Sequence, residues 1–114
     1  MIKKNTLLVC LFSLVIKINA LSLDLKLPTG FEINVFAEGL NSPRQITETR
    51  SGHIIVGSKK GNEVIALVKN NDATYKKVIV ANELQNPAGV AFYEGDLYFA
   101  EMDTIWIIKM GSSC

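Results

Sequence analysis

Histidine occurs once in these 114 residues, at His53, and the two cysteines stand at Cys10 and at the last position, Cys114. A single imidazole with no thiol or carboxylate at ligand spacing builds no zinc site. At the head of a strand, His53 reads as a surface residue, and no Ser-His or Cys-His arrangement for nucleophilic catalysis can be assembled around it. One thiol outside the leader excludes a disulfide framework within the chain, although an oxidising compartment would permit one. Glycine is present, yet neither GxGxxG nor GxxxxGK[ST] occurs, so no loop is built to cradle phosphate. Asn70, Asn71 and Asp72 supply oxygen atoms but lack the alternating ladder of a calcium loop. They read as a turn that tolerates left-handed backbone.

Long apolar runs are also missing, apart from the first one. Lys3 and Lys4 followed by an apolar stretch over residues 7–16, with Ile18-Asn19-Ala20 behind it, read as an export signal over residues 1–20. That apolar stretch spans about ten residues, against about 20 for a bilayer span, and Lys17 stops its extension. An uncleaved anchor is the lesser alternative, and Val9 before Cys10 argues against lipid attachment there. Residues 21–114 are therefore expected to be a mature, periplasmic or secreted chain with no membrane span after cleavage. Losing three lysines leaves nine basic against eleven acidic residues, a net of −2. No clustered basic face favours nucleic acid, and Lys59-Lys60 and Lys76-Lys77 read as solvated surface.

What the chain does contain is a repeat. VFAEGLNSPRQIT, starting at Val35, returns as IVANELQNPAGVA, starting at Ile79, with Leu40 over Leu84 and Pro43 over Pro87. Each copy is followed by two strand-like runs, HIIVGS and EVIALV in the first, DLYFAE and TIWIIK in the second. Strands are expected over residues 44–49, 53–58, 63–69, 75–81, 88–93, 96–101 and 104–109. A further half-buried strand is expected over residues 31–37, where Phe31, Ile33 and Val35 alternate with Glu32 and Asn34, after a lead-in that alternates Leu21, Leu23, Leu25 and Leu27. Helix is supported nowhere outside the leader. Four short strands repeated at a period of about 40 to 50 residues are the signature of a β-propeller blade, and closing a ring takes roughly four to eight blades. The expected fold is all-β, the first one to two blades of a propeller, truncated inside the second.

Acidic residues gather at Asp96, Glu101 and Asp103. Alternation along DLYFAE places Asp96 on the face opposite Leu97, Phe99 and Glu101, so they do not converge as an acid-base pair. A structural or surface role is expected for them.

Three segments together resemble a known family. LKLPTGFEINVFAEGLNSPRQ, GHIIVGSKKGNEVIAL and LQNPAGVAFYEGDLYFAE are similar in order and spacing to the N-terminal region of the soluble quinoprotein dehydrogenases of the glucose/sorbosone type. That family opens with L-x-L-P-x-G-F, continues with F-A-x-G-L-x-x-P-R and passes through G-V-A-F-x-x-G-D-L-Y-V-A-E. The resemblance covers residues 25–109. It implies a six-bladed propeller exported to the periplasm, which uses pyrroloquinoline quinone (PQQ) and calcium to oxidise a sugar, alcohol or aldehyde and passes the electrons to an acceptor. A histidine acts there as general base while hydride passes to the quinone. That histidine and the calcium ligands belong to later blades. His53 falls at a variable turn position and is not that base. Asn86, Ala88 and Gly89 fall where the innermost strand meets the central channel, as lining rather than ligands. The chain is thus expected to be inactive by itself and to bind neither PQQ nor calcium, with no catalytic, cofactor-binding or metal residue of its own. Relatives carry a longer Asp-rich loop where this chain has residues 70–74, which argues against a local ion. Two other readings stand beside this one: a non-catalytic binding propeller of the NHL or TolB-like kind, and a short chain that oligomerises to complete a ring.

Overall fold

The structure, a computed structural model, describes residues 25–111. The expected export signal, both cysteines, Leu21 and Leu23 lie outside the described residues. The chain divides into two units, residues 1–34 and 35–114. In the described part of the first, Thr29 and Gly30 form a turn closed by the Phe31 N–H donating to the Pro28 carbonyl at 3.2 Å, with Gly30 at φ 93°.

The second unit is two antiparallel meanders. Sheet 1 contains β1 (Pro43–Glu48), β2 (Ile54–Ser58), β3 (Val64–Lys69) and β4 (Tyr75–Ala81), in that order. Sheet 2 contains β5 (Gly89–Tyr93), β6 (Asp96–Ala100) and β7 (Ile105–Lys109). No helix occurs among the described residues, so none there is long and apolar enough to cross a membrane. All seven strands fall within one residue of their expected places. The turns explain the pairing. Glu94 and Gly95 both take positive φ, 50° and 85°, the twist that a two-residue hairpin needs between Tyr93 and Asp96. In the β3–β4 turn the left-handed residue is Ala73, at φ 69°, and not one of the asparagines. Asn70 and Asp72 hold it from either side, the first through its backbone and the second by accepting from the Thr74 N–H at 3.1 Å.

The repeat is visible in the backbone. Gly39 and Glu83, equivalent by sequence, both have positive φ (71° and 59°), and so do Ser42 and Asn86 (54° and 50°). Glutamate, serine and asparagine in that region are uncommon, so the same bend at the same place in both copies marks a shared connection and not a local accident.

Residues 31–37 form no strand and are exposed except for half-buried Ala37. The expected half-buried strand is therefore corrected. Its alternation is real, but a strand needs a neighbour to satisfy its N–H and C=O groups, and none of the described strands pairs with it.

Period-two alternation gives each sheet two apolar faces. Ile55, Val64 and Ala66 on one face of sheet 1 pack with Leu97 and Phe99 of sheet 2, joined by Val90, Leu84 and Ile108. On the opposite face of sheet 1, Val56, Ile65 and Leu67 are covered by Ala37, Leu40 and Tyr75. By sequence, Ile54 and Val56 correspond to Leu97 and Phe99. Both sheets thus turn the equivalent face the same way, and sheet 2 stacks on sheet 1 as one repeat follows another.

Candidate functional site

The two sheets meet most closely at one corner. A Cβ built on Gly57, at the end of β2, would lie 2.6 Å from the carbonyl oxygens of both Pro87 and Ala88. The second copy of the repeat therefore runs directly over a residue with no side chain. The Ser58 N–H donates to the Pro87 carbonyl at 3.0 Å, and the Leu84 N–H to the Asn62 carbonyl at 3.0 Å, fixing the crossing from two sides. The first strands of the two sheets are tied by side chains: the Val90 N–H donates to Gln45 Oε1 at 3.3 Å and the Phe92 N–H to Thr47 Oγ1 at 3.1 Å.

Asn86, Ala88 and Gly89, expected from the sequence as channel lining, lie beside this crossing. Asn86 turns its amide to the Met102 sulfur at 3.5 Å. Ala88 donates its N–H to the Asn86 carbonyl at 2.7 Å. A Cβ built on Gly89 would lie 3.4 Å from Gln45 Oε1 and 3.6 Å from the Ala100 Cβ.

The acidic residues separate by role. Glu101 accepts from the Gln85 N–H at 2.6 Å on one oxygen and from Trp106 Nε1 at 2.7 Å on the other. Asp103 accepts from the Thr104 hydroxyl. Asp96 pairs with Lys109 at 2.9 Å across the β6–β7 register. Among the described residues no three His, Cys, Asp or Glu side chains come together. Sequence reasoning missed what His53 does. It is half-buried, its backbone N–H donates to Thr49 Oγ1 at 3.1 Å, and its Nδ1 accepts from the Lys69 N–H at 3.1 Å. One imidazole thus ties the β1–β2 turn to the end of β3. Lys59, Lys60, Lys76 and Lys77 are all exposed, as expected.

The hydrogen bond from Lys109 holds the Asp96 carboxyl below its ordinary value of 3.8, and the same bond raises the Lys109 ammonium above 10.5. A depressed carboxyl stabilises the fold above its unfolded value, and that contribution is lost as pH falls through the lower folded value; the raised ammonium contributes below 10.5 and loses it as pH rises past its folded value. Asp96→Asn is therefore expected to lower the thermal midpoint slightly at neutral pH, with the gap to wild type closing on the acid side. A gap that persists unchanged to pH 2 would show that the pair is not its cause.

Each sheet keeps an open surface. The outer face of sheet 1 carries an apolar groove of about 370 Å³ bordered by Val35, Phe36, Leu40, Ile46, Ile54 and Val56. The outer face of sheet 2 carries a shallower one of about 250 Å³ around Ala91, Tyr98, Ala100 and Ile105.

No family model matches the chain, and no solved structure matches it. Among curated proteins it is similar to an uncharacterized protein of Borreliella burgdorferi, 31% identical over 98 residues that cover 85% of this chain and 24% of the relative. The chain spans about a quarter of the length of that relative.

Proposed function

We propose that the two sheets are the first two blades of a β-propeller, and that the chain is the N-terminal part of a protein of the quinoprotein sugar dehydrogenase type, in which it supplies ring scaffold and channel wall and not redox chemistry. The observation that carries this reading is the recurrence of the same left-handed bends at Gly39/Glu83 and Ser42/Asn86, together with the stacking of equivalent sheet faces. A propeller is a radial repetition of four-stranded sheets, and sheet 1 is such a meander. The B. burgdorferi relative, about four times as long as the matched segment, has room for the remaining blades at about 40 to 50 residues each.

The carboxylates among the described residues do not fit calcium. Both Glu101 oxygens are engaged by N–H donors, Asp96 is neutralised by Lys109, and Asp103 and Asp72 serve turns. Calcium takes six to eight oxygen ligands, and no such shell converges among the described residues. Any oxidation of substrate would be carried by residues outside this chain.

The test is to assay the whole B. burgdorferi relative for reduction of a dye with sugars, alcohols and aldehydes, with and without added PQQ and calcium, and the 114-residue chain beside it. Activity that depends on both additions in the relative and is absent from the short chain is expected. Activity in the short chain would overturn the division of labour. An inert relative would favour a binding propeller, whose loops present contacts and need no base.

A further inference from the structure

β2 and β3 pair from Gly57 opposite Val64 to Ile54 opposite Leu67. Carried on, that register would set Lys69 against Gly52, but Gly52 has already turned away, at φ 85° and with its N–H given to the Thr49 carbonyl at 3.0 Å. The Lys69 N–H therefore meets no backbone acceptor on β2, and the imidazole of His53 takes that role, its Nδ1 accepting at 3.1 Å. We propose that His53 is a pH-sensitive latch on sheet 1: neutral, it closes the β1–β2 turn onto the end of β3, and protonated, it lets that end go.

An imidazole that accepts at Nδ1 carries its one proton on Nε2, whereas the imidazolium donates from both nitrogens and accepts at neither. Protonation thus sets two N–H groups against each other where there was a hydrogen bond. The backbone of His53 is held independently of the ring. Its N–H donates to the hydroxyl of buried Thr49 at 3.1 Å, and its carbonyl accepts from the Thr49 N–H at 2.9 Å. The turn keeps its shape when the ring gains charge, so the strand end is the part that yields. Beyond Lys69 the chain enters a turn closed on itself, with the Asn70 N–H donating to the Thr74 carbonyl at 2.8 Å and the Asn70 side-chain amide to the Thr74 hydroxyl at 2.9 Å. That turn survives the release and moves with β4.

The charged and titratable groups about the ring are Glu48 at the end of β1, Arg50 in the turn, Lys69 on β3 and Tyr75, the partner of Lys69 on β4. Glu48 Oε1 and Lys69 Cδ lie 3.8 and 3.6 Å from where a Gly52 Cβ would stand, so both side chains reach this turn. They bear on the pH at which the ring takes its proton and not on what that proton does to the bond. At the opposite end of β2 the Ser58 N–H meets the Pro87 carbonyl, and no imidazole takes part. Acid should therefore open one end of sheet 1 alone. Only sheet 1 is involved, so the latch holds whatever chemistry the rest of the ring performs.

The experiment is amide hydrogen exchange by NMR on the 114-residue chain at about pH 8 and about pH 5, the range over which histidine side chains change charge, with the His53 ring protons followed in the same samples. Protection of the Lys69 N–H, corrected for the intrinsic pH dependence of exchange, is expected to fall about fivefold at the acid end, the factor that one hydrogen bond of typical net strength carries. Protection of the Ser58 N–H should hold. His53→Asn keeps a side-chain acceptor that takes no proton in this range, and the fall should be absent from it. His53→Ala should lack the protection at both pH values. Glu48→Gln should behave as wild type, which separates the ring from the nearby carboxylate. Equal Lys69 protection with the ring charged and neutral, a parallel loss at Ser58, or a fall that persists in His53→Asn would overturn the proposal.

Discussion

Gly57→Ala is expected to lower the thermal midpoint by roughly 12–24 °C. The added Cβ would stand 2.6 Å from two carbonyl oxygens, those of Pro87 and Ala88, and backbone atoms cannot rotate away as a side chain can. The crossing segment would have to lift, breaking the 3.0 Å bond from the Ser58 N–H to the Pro87 carbonyl. Overpacking costs about 1–3 kcal/mol and a lost backbone hydrogen bond about 1 kcal/mol, so about 3 kcal/mol is expected in all. For a domain of this size each kcal/mol moves the midpoint by about 4–8 °C. Gly95→Ala is the control. At φ 85° with nothing within 4 Å of its Cβ, it meets only backbone strain, of about 1–2 kcal/mol. If the two variants melt alike, the crossing is not as close as the structure has it.

Gly57 shows how much of this site was legible beforehand. By sequence it is equivalent to Ala100, and a small residue at the end of the second strand in both copies is a signal, but one that reads as a weak strand until the crossing segment is seen above it. The strands themselves were readable because alternation and turn chemistry agree: Ile54 to Ser58 and Asp96 to Ala100 sit between turns that force the chain back on itself. Residues 31–37 have equally good alternation and no strand. Local pattern sets which face is apolar, while pairing is a property of two segments, and a single segment's sequence says nothing about whether the second is at hand. His53 was opaque for a different reason. Its work is to accept one backbone N–H from Lys69, sixteen residues away, and no motif records a contact that depends on where the β2–β3 hairpin happens to register.

Leu97→Ala should have the second large effect, a loss of about 3–4 kcal/mol. Leu97 has no exposed surface and lies between the sheets against Ile55, Val64 and Phe99, so its truncation opens a cavity that two backbone-bonded sheets can close only in part; such losses run from about 2 to 5 kcal/mol. At about 0.05–0.15 kcal/mol of stability per residue, such a loss removes from about a quarter to most of the total, so the variant should melt well below wild type by circular dichroism. Ile107 sits on the other face of the same sheet and is 43% exposed, and Ile107→Ala should cost less than about 1 kcal/mol in dilute solution. A deficit in Ile107→Ala as large as that in Leu97→Ala would show that the two faces of sheet 2 are equally well packed, against the 43% exposure of Ile107 and the full burial of Leu97.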